Sequence, residues 1–261
     1  MTHVCVYINS YICNFIQCLQ SIRKEALKKL HINSFMADVV GLSFIFGILG
    51  NIISVLLFLS PIKTFIQIVS KGSTGEFESI PYICTFLATS LWTYYGLIKP
   101  GALLVATVNG FGAVVELVFV TLFLIFAPPE MRAKTAKLAV ILDLGFLGAV
   151  MLVSKYMLLD DEMRINMIGT LGAFVNILMY GSPLAALRAV METRSVEYMP
   201  FLLSLCSFLN GGVWTIYAVL VKDLFLLVPN AVGFILGTIQ LVVYARYSNL
   251  NNDQQYNEPL I

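Results

Sequence analysis

The sequence predicts an all-α membrane protein whose seven transmembrane helices form two parallel three-helix bundles joined by a linker helix, a 3+1+3 plan. Three observations predict it: an apolar composition, seven stretches of membrane-spanning length, and an internal repeat with one extra span between its copies. Apolar residues make up 59% of the chain and charged residues 12%, against about 25% charged in a typical soluble domain. Crossing the hydrocarbon core takes about 20 predominantly apolar residues at ~1.5 Å rise each. Seven stretches satisfy this, roughly 37–59, 81–98, 103–126, 138–158, 165–187, 200–221 and 225–245. Short connections leave no room for a soluble catalytic domain.

The repeat sets the order of these elements. Spans one to three carry Ser60-Pro61, Ser73-Thr74-Gly75-Glu76-Phe77, Pro81-Tyr82, Trp92-Thr93-Tyr94-Tyr95 and Asn109-Gly110-Phe111-Gly112. Spans five to seven answer with Ser182-Pro183, Arg194-Ser195-Val196-Glu197-Tyr198, Met199-Pro200, Trp214-Thr215-Ile216-Tyr217 and Pro229-Asn230-Ala231-Val232-Gly233. Joined directly, two three-span copies would lie in opposite senses, and the extra span restores the second to the sense of the first. Two parallel copies about an axis along the membrane normal are one repeat plan of secondary transporters, with substrate near the midplane between them. The boundaries expected are a first repeat at 36–127, a linker helix at 128–160, a second repeat at 161–247 and a cytosolic tail at 248–261.

Lys63, Lys71, Arg132, Lys134, Lys137, Arg188, Arg194 and Arg246 fall on one side of these spans. The other side receives Lys99, Lys155, Arg164 and Lys222 with the acidic run Asp160-Asp161-Glu162. The positive-inside bias then places the C-terminus in the cytosol. Residues 1–35 add Arg23, Lys24, Lys28 and Lys29 to the non-cytosolic side and hold three of the five cysteines. They read as a disordered or artefactual extension with Met36 as the working initiator; the alternative is an amphipathic surface helix near 19–31.

Four prolines near the cytosolic ends of spans, Pro61, Pro81, Pro183 and Pro200, are candidates for a hinged gate, since proline removes a backbone donor and kinks a helix. Asn109 and Asn230 offer amides that both donate and accept, as a sugar hydroxyl does; interhelical hydrogen bonding is the competing use. Trp92 and Trp214 present indole faces that suit the C–H face of a pyranose, or else belong to an interface belt. Ser54 and Asn176 each lie seven residues before the first proline of their copy, two turns away on its face. Asn210 precedes Trp214 by one turn. Tyr95 and Asp223 could latch the opposite end, with Lys222 as a competing partner for Asp223. Glu116 and Asp143 are intramembrane carboxylates without repeat partners, which disfavours a proton relay. His3 and His31 lie in the extension, no phosphate loop is present, and no cofactor or metal is expected.

From about Met36 to Tyr247 these motifs resemble the SWEET sugar transporters: Leu59-Ser60-Pro61, Ile80-Pro81-Tyr82, Trp92-Thr93-Tyr94-Tyr95-Gly96, Thr107-Val108-Asn109-Gly110, Tyr180-Gly181-Ser182-Pro183-Leu184, Ser195-Val196-Glu197-Tyr198-Met199-Pro200 and Val228-Pro229-Asn230. The resemblance implies a bidirectional uniporter of mono- or disaccharides, working by alternating access without a coupling ion. It implies a four-proline cytosolic gate at Pro61, Pro81, Pro183 and Pro200, sugar contacts at Asn109, Asn230 and Trp214, and an outer gate at Tyr95 and Asp223. Ala88 and Asn210 stand where several members carry serine. The forms Trp92-Thr-Tyr-Tyr-Gly, Asn176-Ile-Leu-Met-Tyr-Gly-Ser-Pro and Phe225-Leu-Leu-Val-Pro-Asn look most like the vacuolar branch. That branch implies the tonoplast ahead of the plasma membrane, and fructose and glucose ahead of sucrose. The partners expected are small sugars, the lipid bilayer and a second copy of the chain, with no nucleic acid. The alternatives are a proton-coupled amino-acid carrier of the related PQ-loop class, where Pro-Gln stands in place of Ser-Pro, and a seven-helix receptor.

Overall fold

The computed structural model describes residues 37–157 and 160–257, so residues 1–35 lie outside the described part. The chain divides into two compact units at Ser43–Phe44. Of the first, residues 37–43 are described and are helical, with the Ser43 hydroxyl donating to the Val40 carbonyl at 2.9 Å. The second holds everything that follows. Among the described residues helices are the only regular secondary structure, as the apolar spans require, because inside a bilayer every backbone polar group needs a partner within its own segment.

The first repeat comprises α1 (37–58), α2 (Ile62–Lys71), α3 (Ile80–Ile98) and α4 (Leu103–Phe126). A linker follows as α5 (Pro129–Ala139), a π-helical segment Val140–Phe146 and α6 (Leu147–Tyr156). The second repeat is α7 (Asp161–Met179), α8 (Gly181–Thr193), a 3-10 turn Val196–Tyr198, α9 (Phe201–Leu220) and α10 (Leu224–Asn257). Among the described residues six helical runs are long and apolar enough to cross a membrane. The remaining expected span, the second in chain order, is α3, which has the length at 19 residues but exchanges hydropathy for Thr85, Thr89, Trp92 and Tyr95, which turn inward. Outward-facing Leu117, Val118 and Val242 are about half exposed or more, as lipid contact demands.

The spans run longer than the apolar stretches alone. Span one continues past the break at 59–61 as α2, and span five continues past Tyr180 as α8. Both breaks sit beside a repeat proline. Pro61 immediately precedes α2, and Pro183 lies in the first turn of α8, where a missing N–H has no intrahelical carbonyl to lose. Helix α10 reaches Asn257, beyond the boundary expected at 247; no proline or glycine stands between Gly237 and Pro259 to end it sooner.

The linker is anchored by polar contacts near the proline end of the bundles. Ser79 and Thr135, both fully buried, share a hydrogen bond of 2.7 Å. Arg132 donates to the last carbonyls of α4, Ile125 at 3.3 Å and Ala127 at 3.1 Å, groups that no helical N–H reaches. The core of the unit forms around Leu91, Trp92, Tyr95, Ile168, Trp214 and Tyr217, where the two repeats meet.

Candidate functional site

The repeat brings matched side chains to a shared central cavity. Each indole is backed by a glycine of the other copy. A Cβ on Gly50 would meet the Trp214 ring at 2.7 Å, and one on Gly172 would meet the Trp92 ring at 3.0 Å. Each glycine lies 11 residues before the first proline of its copy, so the close approach of helix to indole is itself repeated. Each indole packs edge-on against a tyrosine one turn later, Trp92 on Tyr95 at 5.3 Å and Trp214 on Tyr217 at 5.2 Å. Such pairs contribute about 0.5–1.5 kcal/mol beyond burial and fix ring orientation.

The cavity has a volume of about 200 Å³ and is walled by both repeats. All seven residues proposed from sequence to meet substrate, Ser54, Trp92, Asn109, Asn176, Asn210, Trp214 and Asn230, line it. Asn109 donates to the Val105 carbonyl at 2.9 Å and Asn230 to the Leu226 carbonyl at 2.7 Å, each one turn back in its own helix. That bond holds the amide in place and leaves its oxygen and remaining N–H without a protein partner among the described residues. The Trp92 Nε1 is buried and also lacks a partner.

The two copies differ at the indole nitrogens. Trp214 Nε1 donates to Ser54 Oγ at 3.1 Å, and Ser54 donates onward to Asn210 Oδ1 at 2.7 Å. This chain of bonds ties α1 to α9 across the repeats. Its counterpart is missing on the other side, where Asn176 stands in place of Ser54 and Ala88 in place of Asn210. Sequence reasoning overlooked Thr85, Thr89 and Met179 in the wall. Thr85, Ala88, Thr89 and Trp92 follow the i, i+3, i+4, i+7 rule of one helix face, a signal that starting from Trp92 would have found them.

Next to the cavity-lining Trp92 and Leu226, the two repeats are tied together. Tyr95 donates its hydroxyl to Asp223 Oδ2 at 2.8 Å, and both side chains are buried. Lys99 reaches the same oxygen at 2.6 Å and the Tyr95 hydroxyl at 2.8 Å. Asp223 Oδ1 accepts from the N–H groups of Phe225 at 3.0 Å and Leu226 at 3.2 Å, capping α10. The cation on Asp223 is therefore Lys99 and not the adjacent Lys222. Lys222 adopts a left-handed backbone with φ 55° and stays exposed.

At the other end the four prolines part company. Pro183 and Pro200 line a second cavity of about 390 Å³, while Pro81 faces an apolar groove with Cys84, Leu142 and Phe146. Pro61 lines neither. Pro81 and Pro200 also differ in register: they stand 11 and 14 residues before Trp92 and Trp214, one turn apart, so they are not equivalent in their helices. Pro81 opens α3 from within its first turn, whereas Pro200 caps α9 from outside. Asp143 lies in the π-helical segment with a buried, unpartnered Oδ1, and Glu116 is buried with Oε2 unpartnered; neither lines the central cavity. Among the described residues no cluster could hold a metal ion.

A family model described as "Sugar efflux transporter for intercellular exchange" matches residues 44–131 and 166–252, one segment in each repeat. The chain is 52% identical over 207 residues to the bidirectional sugar transporter SWEET17 of Arabidopsis thaliana, covering 79% of this chain and 86% of the relative. It is 48% identical over 226 residues to SWEET16 of the same plant, covering 87% and 97%. A solved eukaryotic SWEET transporter superposes with a TM-score of 0.78 at 38% identity, covering 81% of this chain and 99% of the other.

Proposed function

Since the chain belongs to the SWEET family of bidirectional sugar transporters, we propose that it carries a monosaccharide through the cavity between its repeats by alternating access. It is a multi-pass membrane transporter and not an enzyme. The observation that carries the substrate reading is the paired amides of Asn109 and Asn230, held by their own helices with bonding capacity to spare in a cavity flanked by two indoles. Amides match sugar hydroxyls in donating and accepting together, and the indoles match the C–H faces of the ring. A volume of about 200 Å³ lies below the ~300 Å³ at which pockets for drug-sized ligands begin. That suits one hexose ring, glucose or fructose, better than sucrose.

Tyr95, Asp223 and Lys99 seal one end, while Pro183 and Pro200 border an open vestibule at the other. This conformation supports the reading of one gate shut and the opposite gate open. Lys63, Lys71, Lys134 and Lys137 lie at the proline end, so the positive-inside bias makes that end cytosolic and puts the C-terminus there. The vacuolar-type sequence forms favour the tonoplast as the membrane. Apolar lipid-facing surface leaves room for a second copy, which cross-linking in the membrane would test. Uptake of labelled glucose, fructose, sucrose and amino acids by proteoliposomes, with and without a pH gradient, tests the proposal. Hexose flux indifferent to the gradient is expected; amino-acid uptake driven by the gradient, without sugar flux, would reverse the reading.

A further inference from the structure

The 390 Å³ vestibule lies on the proline side of the central cavity, and Asn210 and Asn230 belong to the walls of both. Apart from Leu57, the whole vestibule is built by the second repeat. Among the described residues the first repeat has no counterpart of matching polarity: its own groove, between α2 and α4, is lined almost wholly by apolar side chains. Three, seven and ten residues after its asparagine, α10 places Gly233, Gly237 and Gln240, all on the vestibule wall. At the same steps after Asn109, α4 carries Gly112, Glu116 and Phe119. Phe119 stacks on Phe65 at 4.2 Å, and Tyr82 closes edge-on against Phe65 at 4.9 Å, filling the equivalent space with aromatic rings.

The vestibule also holds polar groups with nothing to do. Gln240 is more than nine-tenths buried, at 8% exposure, and makes no hydrogen bond among the described residues. The Ser207 hydroxyl is likewise unused. Asn210 commits its oxygen to Ser54 and leaves its amide N–H groups free. Together they supply donors and acceptors within one crevice. Leu203 and Leu236 add an apolar wall.

We propose that the vestibule is a second sugar site, in which Ser207, Asn210 and Gln240 hold a hexose between the central cavity and the proline-end solvent. The site rests on the family's sugar transport but not on the roles given above to Asn109 and Asn230. A reporter thiol introduced by Ala186→Cys on the vestibule wall, in a chain whose five cysteines are replaced by alanine, tests it. Glucose slows maleimide labelling of that thiol by the factor 1 + [L]/Kd, about threefold at twice the dissociation constant, with mannitol as the osmotic control.

The protection is measured in the Asn109→Ala background, since Asn109 lines the central cavity and not the vestibule, and again with Ser207→Ala and Gln240→Leu added. Protection that persists with Asn109→Ala and vanishes with the added pair supports the vestibular site. Absence of protection in the Asn109→Ala background, or protection indifferent to the added pair, overturns it. Glucose flux by Asn109→Ala alone reports separately on the central cavity: retained flux removes Asn109 from that site, and the added pair still decides the vestibule.

Discussion

Tyr95 and Asp223, on different repeats and 128 positions apart in the chain, are joined by a 2.8 Å hydrogen bond in which neither partner meets solvent. The same carboxylate caps α10 through its other oxygen and takes Lys99 as counter-ion. One residue thereby couples the start of the last helix to Tyr95 and Lys99 of the first repeat. Tyr95→Phe removes a hydrogen bond to a charged acceptor, about 1.5–3 kcal/mol, and shifts the equilibrium between closed and open toward open. A thiol introduced by Thr89→Cys in the cavity is then labelled faster from the Asp223 side. Unchanged labelling would mean that the bond does not hold this end shut.

Asp223→Ala disturbs more than Tyr95→Phe. It also removes the cap of α10, worth about 0.5–2 kcal/mol, and strands Lys99 without its carboxylate. The melting temperature in detergent falls below that of the tyrosine variant. Equal melting temperatures would show that the cap contributes nothing.

The glycine–indole contacts give an ordered pair. Gly50→Ala drives a methyl to 2.7 Å from a rigid indole, whereas Gly172→Ala reaches only 3.0 Å from the other. Overpacking of this kind costs about 1–3 kcal/mol. Both variants lower glucose exchange, Gly50→Ala the more strongly because it also displaces the Trp214–Ser54 bond. The reverse order would disprove the packing argument.

Left-handed turns recur at matched places, at Gly72 and Arg194 with φ 65° and 55°, and at Gly101 and Lys222 with φ 80° and 55°. The first copy uses glycine, and the second accepts the steric cost of a side chain, roughly 1–2 kcal/mol per residue. Gly101→Ala therefore lowers the melting temperature, while Lys222→Gly does not. A drop in the second variant would indicate that the Lys222 side chain has a structural contact of its own.

Much of this was legible in sequence because repetition leaves marks in residue type. Asn109 with Asn230 and Trp92 with Trp214 could be paired by eye, and Ser54, Asn176 and Asn210 followed from helical periodicity. Pairing across space left no such mark. Lys222 adjoins Asp223 in the chain, yet its left-handed backbone leaves it exposed, and Lys99 arrives from α3 instead. The glycines behind the indoles were equally hidden, since a glycine in an apolar helix reads as a weak spot until its neighbour is known. The vestibule followed from a difference between the copies, Glu116 and Phe119 against Gly237 and Gln240, whereas the repeat had drawn attention to likeness. The proline register also escaped notice, because matching Pro81 to Pro200 by order in the chain ignores their distances to the tryptophans.

Exchange of labelled glucose by proteoliposomes carrying the Asn230→Ala variant bears on the central cavity most directly. Exchange at the level of empty liposomes, with wild-type melting and reconstitution, is the predicted result. Exchange at the wild-type rate would contradict the assignment of this cavity as the path of the sugar.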